Sequence, residues 1–212
     1  AKTAEDDLQI PIMEYLLDSS KAIDCIPLLQ SFCEDSSPAV RLFAARVICK
    51  NAISNMSDSI DKVFLKGGSF TEYLSSDFAV DHHVCEEVLL ACGDNHFSTE
   101  TLLRESNRLL DQDTSRSLTL AACYHICNVE TTNFANACRT LALVASDNSH
   151  PLQSVALRLY LRCQSVNKES RTQALIDGAN SSRAAVSETA IRSVRELIAG
   201  FEESNVWIAS IV

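Results

Sequence analysis

The sequence predicts an all-α fold, a stack of about five or six helix pairs in one domain. Three observations carry this. Turn formers are scarce, with five glycines and four prolines in 212 residues, fewer than hairpin-rich β architectures use. Apolar residues recur at helical spacing between short polar breaks along nearly the whole chain. One pattern also returns. Its clearest copy is Asp35–Ser54, a polar turn, a start at Pro38 and a helix, PAVRLFAARVICK, with Val40, Ala44 and Ile48 down one face.

The elements follow in order. A first helix is expected over Ala4–Asp18, disturbed early by Pro11, which has no N–H to donate. Lys21–Cys33 reads as the next, with Ile23, Ile26, Leu29 and Phe32 on one face. Glu34-Asp35-Ser36-Ser37 breaks the chain. Ser37 is placed as N-cap and Pro38 at the first helical position. Ser57 caps a short helix that Gly67-Gly68 would close. Ser69-Phe70-Thr71-Glu72 fits a capping box for another. Asp81 opens DHHVCEEVLLAC, closed by Gly93, and Ser98 or Thr99 opens TETLLRESNRLLDQ. After a turn at Asp113-Thr114, SRSLTLAACYHICN runs to Asn128. Thr131 or Thr132 opens NFANACRTLALVAS, and Pro151 opens PLQSVALRLYLRC. Asn167 caps KESRTQALID, ended by Gly178, and Ser182 opens RAAVSETAIRSVRELIA, ended by Gly200. The tail FEESNVWIASIV fits a last helix or part of one.

Self-similarity favours a repeat array over an irregular bundle. Triplets spaced by four read Val40/Ala44/Ile48, Val84/Val88/Cys92, Leu118/Ala122/Ile126, Gln153/Leu157/Leu161 and Val186/Ala190/Val194, their first members 44, 34, 35 and 33 residues apart. A small central residue lets two helices approach closely while the flanking side chains fill the gaps. One such pair cannot bury its own apolar surface, so neighbours stack. Gln153 makes the fourth copy the weakest.

The stretch Cys25–Ile48, with CIPLLQSFC before the acidic turn and PAVRLFAARVI after it, resembles a HEAT repeat of the HEAT/armadillo superfamily. The likeness rests on Asp35 in that turn, Pro38, the Val40-Arg41 pair and Ala44. It implies a right-handed α-α superhelix whose second helices line an inner, concave face. The later copies lack the Val-Arg pair, Val186-Ser187 coming closest. Tetratricopeptide repeats fit less well, because their Trp, Gly and Tyr positions are missing.

Composition excludes several function classes. A formal net charge of −10 opposes non-specific nucleic-acid binding, which needs clustered Lys and Arg. It is compatible with a protein partner presenting a basic segment. No run of about 18 apolar residues exists, so membrane insertion is not expected. Nine cysteines, an odd number and most of them within apolar helical runs, fit reduced core thiols and an intracellular location, cytoplasmic or nuclear. The opening AKTAEDD, with neither Met nor signal peptide, suggests a segment of a longer protein.

Chemistry-bearing constellations are sparse. Cys123, His125 and Cys127, with His82, His83 and Cys85, are the only groupings worth weighing for zinc or a thiol nucleophile. No second ligand pair follows at a zinc spacing, and His125 lies two residues from each cysteine, on another helix face. Gly67-Gly68-Ser69 lacks the strand and the Gly-Lys-Ser/Thr of a phosphate loop. Glu202-Glu203 reads as solvated surface. Ser210-Ile211-Val212 has the form of a C-terminal PDZ ligand, meaningful only at a natural terminus. The expectation is therefore a non-catalytic protein–protein interaction scaffold, without cofactor or metal, forming part of a larger complex subunit. A stand-alone peptide- or cargo-binding adaptor is the first alternative. A helical metal-binding or thiol-enzyme domain is the second. The expected protein-binding residues are Arg46, Glu86, Glu87, Tyr124, Glu188 and Arg192, with Tyr124 as an exposed aromatic anchor.

Overall fold

The computed structural model describes residues 6–17, 20–66, 79–111, 116–129 and 132–201. The expectations on Gly67-Gly68, Ser69–Glu72, Asp113-Thr114, Thr131, the tail after Phe201 and Ser210-Ile211-Val212 lie outside them, as does the side chain of His82. Among the described residues there are eleven α-helices and no strand. They are α1 (Asp6–Leu17), α2 (Ile26–Cys33), α3 (Pro38–Lys50), α4 (Ser57–Lys66), α5 (Ala79–Asp94) and α6 (Glu100–Leu110). There follow α7 (Ser117–Asn128), α8 (Phe134–Ser146), α9 (Gln153–Arg162), α10 (Lys168–Ala179) and α11 (Ala184–Phe201).

The helices pack in two layers. In one, α1, α3, α5, α7, α9 and α11 each touch the next. In the other, α2 meets α4, α4 meets α6, and α8 meets α10. Sequential helices cross between layers, as in α2–α3, α6–α7 and α8–α9. This packing is compatible with a helical repeat. The core lies along the seams of the odd layer, where the five triplets sit. All their members are buried except Val194, which is 38 % exposed. Gln153, the poor match, is buried too. Its Nε2 donates to the Ala145 carbonyl and to Asn148 Oδ1, both at 3.1 Å.

Glycine and proline act differently from expectation at several points. Pro11 sits inside α1 without ending it. Lys21–Cys33 is not one helix: Ser20–Cys25 is a 3₁₀ segment and α2 starts at Ile26, with Pro27 in its first turn, where a missing N–H costs nothing. Pro151 lies in a turn and α9 begins at Gln153. Gly93 and Gly178 lie within α5 and α10 rather than beyond their ends. Both serve close approach. A Cβ on Gly93 would stand 2.8 Å from two ring carbons of Tyr124, and one on Gly178 2.7 Å from Leu157 Cδ2.

The helix ends repeat as well. α3 and α5 both finish on a left-handed non-glycine residue, Ala52 and His96, each with φ 50°. In both turns the next N–H reaches back along the helix end, Ile53 to the Ile48 carbonyl at 3.1 Å and Phe97 to that of Cys92 at 2.9 Å. The apolar residue then tucks into the core. Thr99 and Asn167 cap their helices as expected, accepting from the Leu102 and Ser170 N–H groups at 3.2 and 2.8 Å. Ser37 does not cap α3 through its side chain. Asp35 Oδ1 takes the Ser37 N–H at 2.8 Å, and the buried Arg41 donates to the Asp35 and Ser36 carbonyls at 2.8 and 3.0 Å. Arg41 thus serves backbone groups of its own turn.

Candidate functional site

The odd helices of a stack end side by side, so residues at equivalent carboxyl-terminal positions form a row. Here that row is polar. Asp94 ends α5, Asn128 ends α7, Arg162 ends α9, and Glu196 stands in the last part of α11. Each is 34 residues from the next. All four line one cleft of about 300 Å³, together with Gly93, Tyr124, Leu161, Gln164, Arg171 and Ser193.

The floor is a tightly bonded group. Tyr124 is buried, only 3 % exposed, its ring lying in the space that Gly93 leaves. Its hydroxyl donates to Asp94 Oδ1 at 2.6 Å. Arg162 Nη2 binds the same oxygen at 2.6 Å while its guanidinium stacks on the Tyr124 ring, 5.6 Å from the centroid. Burial, and then the bond to Asp94, push the Tyr124 phenol above its ordinary pKa. It stays a neutral donor. Asn128 fixes the next rung, its Nδ2 donating to the Tyr124 carbonyl at 3.0 Å and its Oδ1 accepting the Gln164 N–H at 3.2 Å. The Asn128 carbonyl meets His96 Nδ1 at 2.8 Å. Arg171, from the first turn of α10, and Glu196 also line the cleft. Two cations, two carboxylates and the amides of Asn128 and Gln164 therefore line one space.

The residues expected to bind a partner do not converge. Arg46 forms an ion pair with Glu87 and stacks on Phe43, 5.7 Å from its centroid. His83 Nε2 stands 3.6 Å from the other Glu87 oxygen. Glu86 accepts from Ser117 Oγ at 2.7 Å. Glu188 pairs with Arg192 at 2.8 Å on α11. The carboxylates of Glu87 and Glu188 are thus already balanced. Tyr124 does reach the cleft, but as its floor and not as an exposed anchor. The sequence does not show that Gly93 and Asp94 receive its ring and hydroxyl. A signal for the cleft was nevertheless present in the polar residues at a period of 34.

His125 is fully buried on α7. Its Nε2 meets the Phe97 carbonyl at 3.1 Å and so carries the proton, leaving Nδ1 to accept from Ser106 Oγ at 2.8 Å. Burial lowers its pKa to about 4. Burial likewise raises Cys123 to about 12, far from an activated thiolate. Cys127 Sγ lies 3.0 Å from Cys138 Sγ, and Cys92 Sγ 3.2 Å from Cys49 Sγ, all as free thiols. Among the described residues no three His, Cys, Asp or Glu side chains gather as a metal-binding group, and no helix is long and apolar enough to cross a membrane. No protein-family model, no curated protein and no solved structure matches the chain.

Proposed function

We propose that the chain is a right-handed HEAT/armadillo-like solenoid that acts as a non-catalytic protein-interaction scaffold within a larger assembly. In this reading the odd layer is the inner surface and the polar row is where a partner segment lies. The row itself carries the proposal: Asp94, Asn128, Arg162 and Glu196 recur every 34 residues and line one cleft. Asp94 and Arg162 are bonded to each other, so a segment entering the cleft would meet them as one paired site, with Asn128, Arg171 and Glu196 beside it. The rungs offer both charges and amides, which suits a polar segment of mixed charge. The nine free thiols support an intracellular setting.

The test is site-specific photo-crosslinking in cells with the probe at Gln164, on the cleft rim, against a control at Leu143 on α8. Probe-dependent adducts at Gln164 and not at Leu143, weakened about tenfold by Arg171→Ala with Glu196→Ala, are the expected result. Adducts at Leu143 alone, or at Gln164 with no response to the double variant, would place the binding surface elsewhere.

A further inference from the structure

Four thiols meet where α7, α8 and α9 join. Cys123 and Cys127 lie on α7, Cys138 on α8, and Cys163 directly follows α9. Cys123, Cys127 and Cys163 are fully buried, while Cys138 is partly exposed. Cys127 Sγ stands 3.0 Å from Cys138 Sγ. A disulfide brings its sulfurs to about 2.0 Å, so closure takes a shift of about 1 Å. A small rotation of either side chain can supply that. At the surface Ser165 lies beside the pair, its hydroxyl donating to the Cys127 carbonyl at 2.8 Å. Cys163 is less available, because its thiol donates to the Leu159 carbonyl at 3.2 Å. A second pair, Cys49 on α3 and Cys92 on α5, has its sulfurs 3.2 Å apart, and both are fully buried. The two pairs differ in access more than in separation. Cys25, the other partly exposed thiol, has no sulfur partner among the described residues.

We infer that Cys138 is a site of oxidative modification by small-molecule disulfides, with Cys127 as its resolving thiol. The chemistry is thiol–disulfide exchange in two steps. The Cys138 thiolate attacks one sulfur of glutathione disulfide. The sulfur–sulfur bond of the oxidant breaks, and one glutathione leaves, taking up the proton that Cys138 lost. Cys127 Sγ then attacks Cys138 Sγ in the mixed disulfide, and the second glutathione leaves with the Cys127 proton. Two protein thiols are oxidised, and one disulfide is reduced to two thiols. The product ties the last turn of α7 to α8. The bond to Cys127 and then burial push the Cys138 thiol up. At Cys127 the bond to Cys138 pulls the thiol down, but the Cys163 contact and burial outweigh it. Exchange is therefore slow at neutral pH, and the resting state is the dithiol. The inference uses the α7–α8 seam and not the cleft, so it stands or falls apart from the scaffold reading.

The test exposes the folded full chain to glutathione disulfide at about pH 8.5, where thiolate is more abundant. Samples are quenched with acid over time, and their peptides are mapped by mass spectrometry. A glutathione adduct at Cys138 should appear first and give way to a Cys127–Cys138 link. That link should form at least about tenfold faster than any Cys49–Cys92 link. In Cys127→Ser the adduct at Cys138 should persist. Cys163→Ser should still form the link. Melting curves verify both variants, and the wild-type map decides the matter even where a variant fails to fold. A wild-type chain that takes no glutathione at Cys138 would overturn the inference. So would a Cys138 adduct that lives as long as one at Cys25, a Cys49–Cys92 link formed as quickly, or a Cys127–Cys163 link in its place.

Discussion

Helices α7 and α10 belong to the same stack and are built in opposite ways. Every residue of α7 except Ser117 is buried, while α10 buries only Gly178. The contrast follows from neighbours. α7 is surrounded by α5, α6, α8 and α9, whereas α10 packs on α8, α9 and α11 from the outside. The cohesion around them differs in kind. At α7 the seams are apolar and closely filled. Near α10 the apolar cluster shrinks to Leu157, Leu161, Val186 and Ala190, and polar bonds take over part of the joining. Arg183 donates to the His150 and Asn148 carbonyls at 2.6 and 3.2 Å and to Gln153 Oε1 at 3.1 Å. Arg183 thus reaches back to the turn of the preceding unit, where Arg41 serves its own. Helix packing therefore continues where apolar contacts thin out, because satisfied polar contacts take over part of the joining.

The contrast is tested most severely by placing a charge in equivalent seams. Ala44 and Ala190 are both 0 % exposed at the centre of their triplets. Ala44→Glu is expected to cost about 4 kcal/mol or more and to unfold the whole chain. Ala190→Glu is expected to cost about 3 kcal/mol and to open α10 and α11 first, because the cluster it disrupts is small. Hydrogen exchange on the two variants checks the difference. Equal, global loss of protection would erase the distinction between the two regions.

The two close-packed glycines sharpen it next. Gly93→Ala drives a Cβ into the Tyr124 ring, which is held by Asp94 and Arg162, and should lose about 2 kcal/mol net of the helix-propensity gain. Gly178→Ala meets the flexible end of Leu157 and, at 3.1 Å, the Cβ of Ala190, and should lose about 1 kcal/mol, less than Gly93→Ala. Urea denaturation of both variants decides it.

A third difference emerges on acidification. The folded pKa of His125, about 4, lies below its ordinary value of 6.5. The unfolded chain therefore takes up the proton first. The stability that depends on neutral His125 is intact above about pH 6.5 and falls as pH drops toward 4, by at most about 1.4 kcal/mol per pH unit. Between pH 6.5 and 5 the loss should be about 2 kcal/mol for the slowest-exchanging amides of α7. Openings confined to α10, which leave His125 buried, should show no such slope. A His125→Asn variant should flatten the α7 response.

The smallest effect concerns the αL turns. Ala52→Gly relieves a left-handed alanine and should stabilise α3 by up to about 1 kcal/mol, read as a rise in Tm. His96→Gly should gain less, because the bond to the Asn128 carbonyl is lost.

The triplets were legible because burial of a seam demands apolar residues at helical spacing, and that demand is written locally. Val194 departs only where the layer has no further described helix. The split of Lys21–Cys33 was legible too, in Pro27, but the apolar face formed by Ile23 and Ile26 outweighed it. The site was harder to read. Arg46 meets Glu87 from 41 positions away, and the Tyr124 hydroxyl finds Asp94 only because Gly93 opens the space. Such pairings depend on which helices become neighbours, and no local pattern states that. The polar row is intermediate, since its period stands in the sequence while its convergence needs the fold.

The bridge from Arg162 to Asp94 joins helices that are not adjacent in their layer: it passes over α7 and rests on the Tyr124 ring. Because α7 stands between the two helices it joins, such a bridge is a mechanical strut. Any motion that spreads the carboxyl ends of α5 and α9 must stretch it, so the width of the cleft at that end is tied to this one contact. Replacing either Asp94 or Arg162 by alanine releases the strut and leaves the packing of α5, α7 and α9 freer to spread at that end.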